Sequence, residues 1–431
     1  MTVQRQTLPA ATEPLNLRWQ DWLLGVLGFL TLAGAVAGIG RLFMGLQATT
    51  QLNDTYSWGI WIGFDFGLIA FAGAGFTLAA VVHIFHLERF HAALRPALFT
   101  GLLGYVAVLL LLVLDLGRPD RFYHFLLYWN LHSPLFEISW CVLLYSTVLA
   151  IEVSPDILRR LPWRWPLRVV GWLMLPVTII GVTLSTLHQS TLGTLYLNMP
   201  HRLHPLWYTP VLPIFFYVSS IMAGLSLGAI GYRVAKRVRG EAEDKAVANG
   251  LITGAVVIGA FFGLAKLVEI AVAGETGLLA SSLGLLWLGE LLLGVGLPVL
   301  LWSVPAWRRL DSVQWLTPIL ILASVLLNRF DATLFAQVLP PGTASYSPHI
   351  LEWISTVGIS ASPIVSVANF AITSGSTSPR RGSCSVPRKT ANRCWSPGMR
   401  KAMRVSSCAI AASTWQPACA CRPESARCRV P

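Results

Sequence analysis

The chain has 431 residues, of which 54% are hydrophobic and only 12% are charged. Soluble proteins carry about 25% charged residues, so this composition excludes a soluble enzyme and predicts an all-α polytopic membrane protein. The formal net charge of +12 arises almost entirely in residues 374–431, which hold eleven Lys and Arg, one acid and six of the seven cysteines. Cys141 is the one cysteine in the rest of the chain. A single cysteine cannot form a disulfide framework or hold an iron–sulfur cluster or zinc there.

Ten apolar runs are long enough to cross a bilayer, which takes about 20 helical residues. They lie at 22–44, 59–86, 97–116, 134–153, 167–188, 209–233, 248–273, 281–304, 313–331 and 350–372. We therefore predict a polar N-terminus over residues 1–20, a transmembrane domain over 21–372 and a basic, Cys-rich tail over 373–431. The tail has no helical or strand period, so we expect it to be disordered or translated out of frame. A basic arm for nucleic acid or anionic lipid is the alternative.

The loops between these helices differ in charge. With ten helices, the N-terminus and the even-numbered loops share one side and carry fifteen Lys and Arg, against five on the other side. Because basic loops stay in the cytoplasm, the sequence predicts a cytoplasmic N-terminus and outward-facing odd-numbered loops.

The stretch Leu114–Trp140 joins the third and fourth predicted helices and is rich in charge. Asp115 closes one helix, Glu137 opens the next, and Arg118 lies between them. Carboxylates at the rim of the hydrocarbon region are costly unless paired, which makes them functional candidates. An Asp115–Arg118 pair that only fixes the turn is the alternative.

Further polar residues fall in the same outer half of the predicted helices. Lys266 and Glu269, three residues apart on one helix, can form an inert ion pair, and Asp65 can bond a neighbouring backbone group. The concentration of these residues on one side nevertheless favours a functional site. The set comprises Asp65, His188, Gln189, Lys266, Glu269 and Glu290.

The outer loops are rich in aromatic residues, proline and histidine. The tryptophans and tyrosines at their edges, such as Trp61 and Trp207, are typical of an interfacial aromatic belt. The long fifth loop, predicted at Leu187–Pro210, suits a docking surface for an outer partner.

The residue pattern favours a quinone over other redox groups. Of the nine histidines only His188 is embedded in a predicted helix in the outer half, so a pair of haem ligands is not supported and no haem is expected. A quinone needs an apolar slot, polar groups at its carbonyls and a proton route. Asp65, Asp115, Glu137 and His188, with Arg118 near the mouth, supply such groups.

Five ordered motifs resemble the membrane subunits of the polysulfide reductase NrfD-type family. The ten-helix branch is most similar, namely the cytochrome-b-type subunit of hydrogenase-2 (HybB-like) and the DsrP-like proteins. The resemblance covers roughly residues 20–362 and weakens after Ile359. The motifs are SWGIWIGFD (57–65), LDLGRPDRFYH (114–124), SPLFEISWCVLLY (133–145), LHQSTLGTLYL (187–197) and LHPLWYTPVLPIFF (203–216).

This resemblance implies two four-helix bundles flanked by additional helices, in the bacterial inner membrane. It implies a non-haem, quinone-binding subunit of an oxidoreductase complex, which exchanges electrons between a periplasmic iron–sulfur partner and menaquinone or ubiquinone, in some members with proton translocation. The partner's catalytic subunit is expected to be of the nickel–iron hydrogenase kind; lipids, but no nucleic acid, are expected to bind.

Roles at the quinone site follow for the matching positions. Asp65, Asp115, Glu137 and His188 are the predicted catalytic residues, and Arg118, Gln189, Asp65, Glu137 and His188 the predicted quinone-binding residues. Outside the motifs, Lys266, Glu269 and Glu290 are predicted members of a proton path, and no metal site is predicted.

Two other functions fit the same helices. A proton- or ion-coupled transporter would move its substrate without a redox partner, although a convincing pair of broken helices is missing from the two halves. A passive membrane anchor of a redox complex would tolerate loss of the buried charges.

Overall fold

The computed structural model describes residues 19–376, except residues 160, 161, 163, 341 and 344. The predicted tail, 373–431, and N-terminal segment, 1–20, lie almost wholly outside the described residues. Nine described helices are long and apolar enough to span a membrane, which confirms an all-α polytopic membrane protein. A tenth helix follows them. In chain order the ten are α1 (Trp19–Met44), α2 (Ile60–Ile84), α3 (His91–Asp115), α4 (Pro134–Leu158), α5 (Trp165–Leu197), α6 (Leu212–Val238), α7 (Lys245–Ala273), α8 (Ser282–Ser303), α9 (Asp311–Phe335) and α10 (Ile350–Ser376).

Several helices run further than predicted, and in two of them, α5 and α9, the added part carries buried polar residues. α5 continues to Leu197, past the predicted end at 188, so that His188 and Gln189 lie well inside the helix rather than at its end. α9 continues to Phe335 through a π-helical turn, Asp331–Phe335. The apolar window stops early in both cases because polar residues interrupt it, and these residues are buried.

The helices pack as two groups of four with a flanking pair. Bundle one consists of α2 to α5 and bundle two of α6 to α9, while α1 lies along α10. The close approach of α1 and α10 depends on glycine, since a Cβ on Gly34 would lie 2.6 Å from the Cα of Gly358. This arrangement agrees with the two bundles that the resemblance implies.

α2 lies on the side of bundle one that faces bundle two. It contacts α3 of its own bundle and α6 and α9 of the other. It is buried on every face over most of its length, as a uniformly apolar helix requires. It is interrupted at Gly73 and ends in a π turn, Ala80–Ile84. His86 follows in the left-handed conformation, with φ of 55°, which is the geometry that commonly ends helices.

We call the end of the helices where α3 ends and α4 begins the outer end, and the opposite end the inner end, after the charge-based prediction. At the outer end three loops are joined around Arg202. Its guanidinium donates to the Thr55 carbonyl oxygen at 2.7 Å and to Gln337 Oε1 at 3.0 Å, and Leu203 bridges to Gln337. At the inner end Arg233, fully buried, pairs with Glu243 and Asp311.

Candidate functional site

Asp65 lies in the second turn of α2, near the outer end. Its side chain is buried, and Oδ1 accepts no hydrogen bond from any described residue. The alternative from the sequence was that Asp65 bonds a neighbouring backbone group. Its Oδ1 makes no such bond. Asp115 acts on it electrostatically from the end of α3. A buried carboxyl oxygen without a partner is costly, which marks a position for a ligand or a proton.

Three rings from three helices meet below Asp65. Tyr105 of α3 lies with its ring centroid 4.3 Å from that of Tyr145 on α4 and 5.9 Å from that of His188 on α5. His188 has no exposed surface, and neither ring nitrogen has a hydrogen-bond partner among the described residues. The Tyr105 hydroxyl interacts with that of Tyr145. Bundle one thus holds several polar groups that no described side chain satisfies.

Gln189, next to His188, bonds across to α2 where that helix is interrupted. Its Nε2 donates to the Ile69 carbonyl oxygen at 2.8 Å, while Oε1 has no partner among the described residues. Ile69 also accepts from the Gly73 amide at 3.2 Å. The amide side chain therefore fixes the position of α5 against α2, and its free oxygen faces a buried region.

Glu137 opens α4 as predicted. Its Oε1 accepts a hydrogen bond of 2.7 Å from Thr191 on α5. The Glu137 side chain is half-buried, and Thr191 lies one turn beyond His188. The structure thereby brings Glu137 to the same interface as His188.

Asp115 belongs to a second group at the outer end, together with α1 and α10. Arg41 of α1 is buried, acts on Asp115 electrostatically and donates to the Leu116 carbonyl oxygen at 2.6 Å. Fully buried Glu352 of α10 accepts from the Tyr346 hydroxyl at 2.6 Å. Burial raises the pKa of Tyr346, so this phenol stays a donor at neutral pH.

This second group holds the start of α2. The Tyr346 hydroxyl accepts from the Ile60 amide at 3.1 Å, and the Trp61 ring nitrogen donates to Ser355 at 2.9 Å. Trp61 is therefore a buried hydrogen-bonding residue rather than part of an interfacial belt. The sequence analysis did not single out Glu352 as a site residue. Like Glu137, it lies in the first turn of an apolar helix that follows a loop, and this shared pattern could have identified it.

Arg118 is not brought to these groups. Its side chain is 65% exposed and makes two hydrogen bonds of 3.0 Å to Asp120. These bonds hold the pKa of Asp120 below its ordinary value. The proposed turn pair with Asp115 does not form, because the guanidinium turns to the nearer acid in the loop.

Bundle two contains a buried ion pair. The Lys266 ammonium group lies 3.1 Å from Glu290 Oε1 on α8, and both side chains are buried. Glu290 also accepts from Trp207 at 3.1 Å and from Asn328 at 3.0 Å. Glu269 is only half-buried. The ion pair that the sequence suggested between Lys266 and Glu269 does not form; Lys266 instead pairs with Glu290 on another helix. Trp207 is a buried hydrogen-bond donor rather than part of an interfacial aromatic belt.

Two further charged residues complete this second bundle, and neither was predicted. Arg329 is fully buried and donates to Ser219 at 2.9 Å and to the Phe216 carbonyl oxygen at 3.0 Å. Asp331, also fully buried, lies beside Glu290. Both lie at the end of the ninth predicted helix, 313–331, and an apolar run that continues past a charged Arg-x-Asp is the signal that could have identified them. Narrow clefts lined by Lys266, Glu290 and neighbouring aromatic rings adjoin the group.

The residues of bundle one fit a quinone headgroup better than a metal. Among the described residues, no group of three or more His, Cys, Asp or Glu could hold a metal ion. A carbonyl oxygen needs a hydrogen-bond donor, and a quinol hydroxyl needs an acceptor. The unpartnered ring nitrogens of His188 and Oδ1 of Asp65 supply both in an apolar surrounding.

Comparison with known proteins places the chain in a family. The sequence model of the polysulphide reductase NrfD family matches residues 48–341, more than half of the chain. The chain belongs to this family. The resemblance seen in the sequence motifs is thereby confirmed.

Individual relatives of this NrfD protein come from several bacteria. It is 36% identical over 356 residues to a protein of Nitratidesulfovibrio vulgaris, covering 79% of the chain and 90% of the relative. It is 33% identical over 212 residues to the probable Ni/Fe-hydrogenase 2 b-type cytochrome subunit of Escherichia coli, covering 48% of the chain and 54% of that subunit. It is 26% identical over 391 residues to the menaquinone reductase integral membrane subunit of Nitratidesulfovibrio vulgaris, covering 84% and 93%.

Proposed function

We propose that this NrfD-family protein is the quinone-reactive electron-transfer subunit of a respiratory redox complex. The observation that supports it most is that Asp65 Oδ1 and both ring nitrogens of His188 are buried without partners among the described residues, with Tyr105 beside His188. The similarity to a menaquinone reductase subunit supports the choice of menaquinone or ubiquinone. No haem is part of the proposal.

The residues of bundle one would bind and protonate the quinone headgroup. Quinone reduction takes two electrons and two protons, and quinol oxidation releases both. His188 would exchange a proton at one carbonyl oxygen and Asp65 at the other, because each has a free, buried titratable atom. Tyr105 would donate a hydrogen bond between them, while Glu137 and Asp115 hold charge at the edge of the site. Arg118 has no headgroup role in this proposal, because it is exposed.

The partner would bind at the outer end. The joined loops around Arg202 form a fixed surface there, and the similarity to a hydrogenase-2 subunit supports an iron–sulfur protein with a nickel–iron catalytic subunit. The proposal places the complex in the bacterial inner membrane with its N-terminus in the cytoplasm. Lys266, Glu269 and Glu290 would form a proton path in bundle two for protons moved in addition to those that the quinone consumes.

The test removes the carboxyl charges of the site without changing side-chain size. In the purified complex, Asp65→Asn and Glu137→Gln should leave assembly intact and lower quinone-dependent turnover by at least about 100-fold. Asp54→Asn, in the exposed α1–α2 loop, is the matched control and should turn over normally. Normal turnover in both site variants would refute the site. Substrate flux in liposomes without any redox partner would favour a transporter.

A further inference from the structure

Two carboxylate–threonine pairs mark the two ends of the α4–α5 interface. At the outer end Thr191 donates to Glu137 at 2.7 Å, and at the inner end Thr178 donates to Glu152 at 2.7 Å. A helix rises about 1.5 Å per residue, so the two glutamates of α4 are about 22 Å apart along the axis. The same helix pair therefore carries an acid near each side of the membrane, half-buried Glu137 at the outer end and buried Glu152 at the inner end.

The burial of Glu152 is not offset by an ion pair with a described residue, unlike that of Arg233 or Lys266. Glu152 is 7% exposed, and among the described residues its Oε2 has no hydrogen-bond partner and no basic residue pairs with it. Arg233, the other buried charge at the inner end, pairs with both Glu243 and Asp311. An acid inside the hydrocarbon region without a counter-ion is expensive, and such acids mark proton or ion pathways.

Polar groups connect the level of Glu152 with the proposed quinone site. Ser185 lies on α5 between Thr178 and His188 and interacts with Tyr145, which Glu152 also influences electrostatically. Tyr145 in turn lies against Tyr105, whose ring faces His188. Hydroxyl and carboxyl groups thus follow one another from the inner end to the site.

One apolar side chain interrupts this series. The ring of Phe76 occupies the space beside Gly181, where a Cβ would overlap it, and its centroid lies 4.4 Å from that of Tyr145. Gly181 lies on α5 between Thr178 and Ser185, so the ring separates the inner acid from the hydroxyl groups above. The hydroxyl groups and Glu152 are therefore not in continuous contact along this interface.

We propose that Glu152 is the inner-end proton donor and acceptor for the quinone site, and that the protons of quinone chemistry travel along the α4–α5 interface. The inference rests on the proposed function. When a reduced partner delivers two electrons to the quinone, two protons enter from the inner face through Glu152 and reach the two carbonyl oxygens. In the reverse direction the quinol releases them along the same route.

The experiment uses the whole complex in inside-out membrane vesicles, where the inner face contacts the medium. Reduced methyl viologen supplies electrons to the partner, and decyl-ubiquinone or menadione accepts them. Three quantities are measured: turnover, proton uptake from the medium with a non-permeant pH dye, and quinone extracted from the purified complex. The variants are Glu152→Gln, Glu152→Asp, and Glu88→Gln as the control, because Glu88 is an exposed acid at the same end.

The wild-type complex should take up about two protons per quinone from the medium. Glu152→Gln should slow turnover at least tenfold while the extracted quinone stays the same, and Glu152→Asp should keep at least a third of the rate. A permeant weak acid such as formic acid should restore part of the Glu152→Gln rate, which a purely structural role would not allow. Glu88→Gln should match the wild type.

Each other result contradicts the inference in a distinguishable way. A wild-type complex without quinone or quinone turnover overturns the proposed function and the inference together. With quinone activity present, a Glu152→Gln complex of normal rate, or proton uptake from the lumen, overturns the inference alone. If Glu152→Gln fails to assemble, Thr178→Val decides: a several-fold slower rate supports the pathway, and an unchanged rate overturns it.

Discussion

Glu290 of bundle two and the pair His188 and Asp65 of bundle one are all buried, but they differ in how far the protein itself satisfies their polar atoms. In bundle two, Glu290 accepts from Lys266, Trp207 and Asn328, so the carboxylate is satisfied within the protein. In bundle one, His188 and Asp65 are equally buried but have polar atoms without partners. Because folding alone penalises such atoms, the proposed function assigns His188 and Asp65 to a ligand, whereas the Glu290 carboxylate is stable without one.

The comparison predicts its largest effect on stability at the ion pair of bundle two. Lys266→Met leaves Glu290 buried without its counter-ion, which should lower the free energy of unfolding by about 3–5 kcal/mol. The double variant Lys266→Met/Glu290→Met should recover most of that loss, since removing both partners is far less costly than removing one. Thermal unfolding of the purified protein in detergent, followed by tryptophan fluorescence, measures both. A single variant as stable as the wild type would show that the pair is not coupled.

The corresponding change in bundle one should affect stability much less. His188→Leu removes two unpartnered ring nitrogens, so the free energy of unfolding should change by less than about 1 kcal/mol. The quinone content of the complex and its turnover should nevertheless collapse. His132→Leu, an exposed histidine in the α3–α4 loop, is the control and should retain both. A large loss of stability in His188→Leu would place this histidine with the structural groups instead.

Much of this fold could be predicted because a membrane helix needs a long apolar run. Nine of the predicted helices are described as apolar helices of spanning length. Two of the errors at helix ends fall where polar residues are buried inside a helix: Gln189 and Thr191 made α5 seem to end early, and Asp331 did the same for α9. An apolar window cannot distinguish a polar residue that ends a helix from one that another helix covers.

The site itself was only partly predictable. Asp65, Glu137 and His188 stood out because isolated polar residues in apolar runs are rare, but the sequence does not say which of them meet. Tyr105 and Trp207 were missed as site residues because aromatic residues are ordinary in such helices. Glu352 and Glu152 were missed because their partners, Tyr346 and Thr178, lie on loops or neighbouring helices.

The smallest effect is expected at Arg118, which the sequence had placed at the quinone mouth. The guanidinium is exposed, and Asp120 is the one described acid with which it forms hydrogen bonds. Exposed pairs of this kind contribute little to stability. Arg118→Ala should therefore leave thermal unfolding, the quinone content and the KM for quinone unchanged.

The one property that should change in Arg118→Ala is local. Without its donor, the pKa of Asp120 should rise toward the ordinary value for an aspartate, because the hydrogen bonds that lower it are lost. Turnover measured against quinone concentration, with the exposed His132→Leu variant of the same loop as the control, gives the effect on the site. A KM for quinone that rises several-fold in Arg118→Ala alone, with assembly intact, would return this arginine to the headgroup site. It would also mean that the α3–α4 loop closes over bundle one when quinone binds.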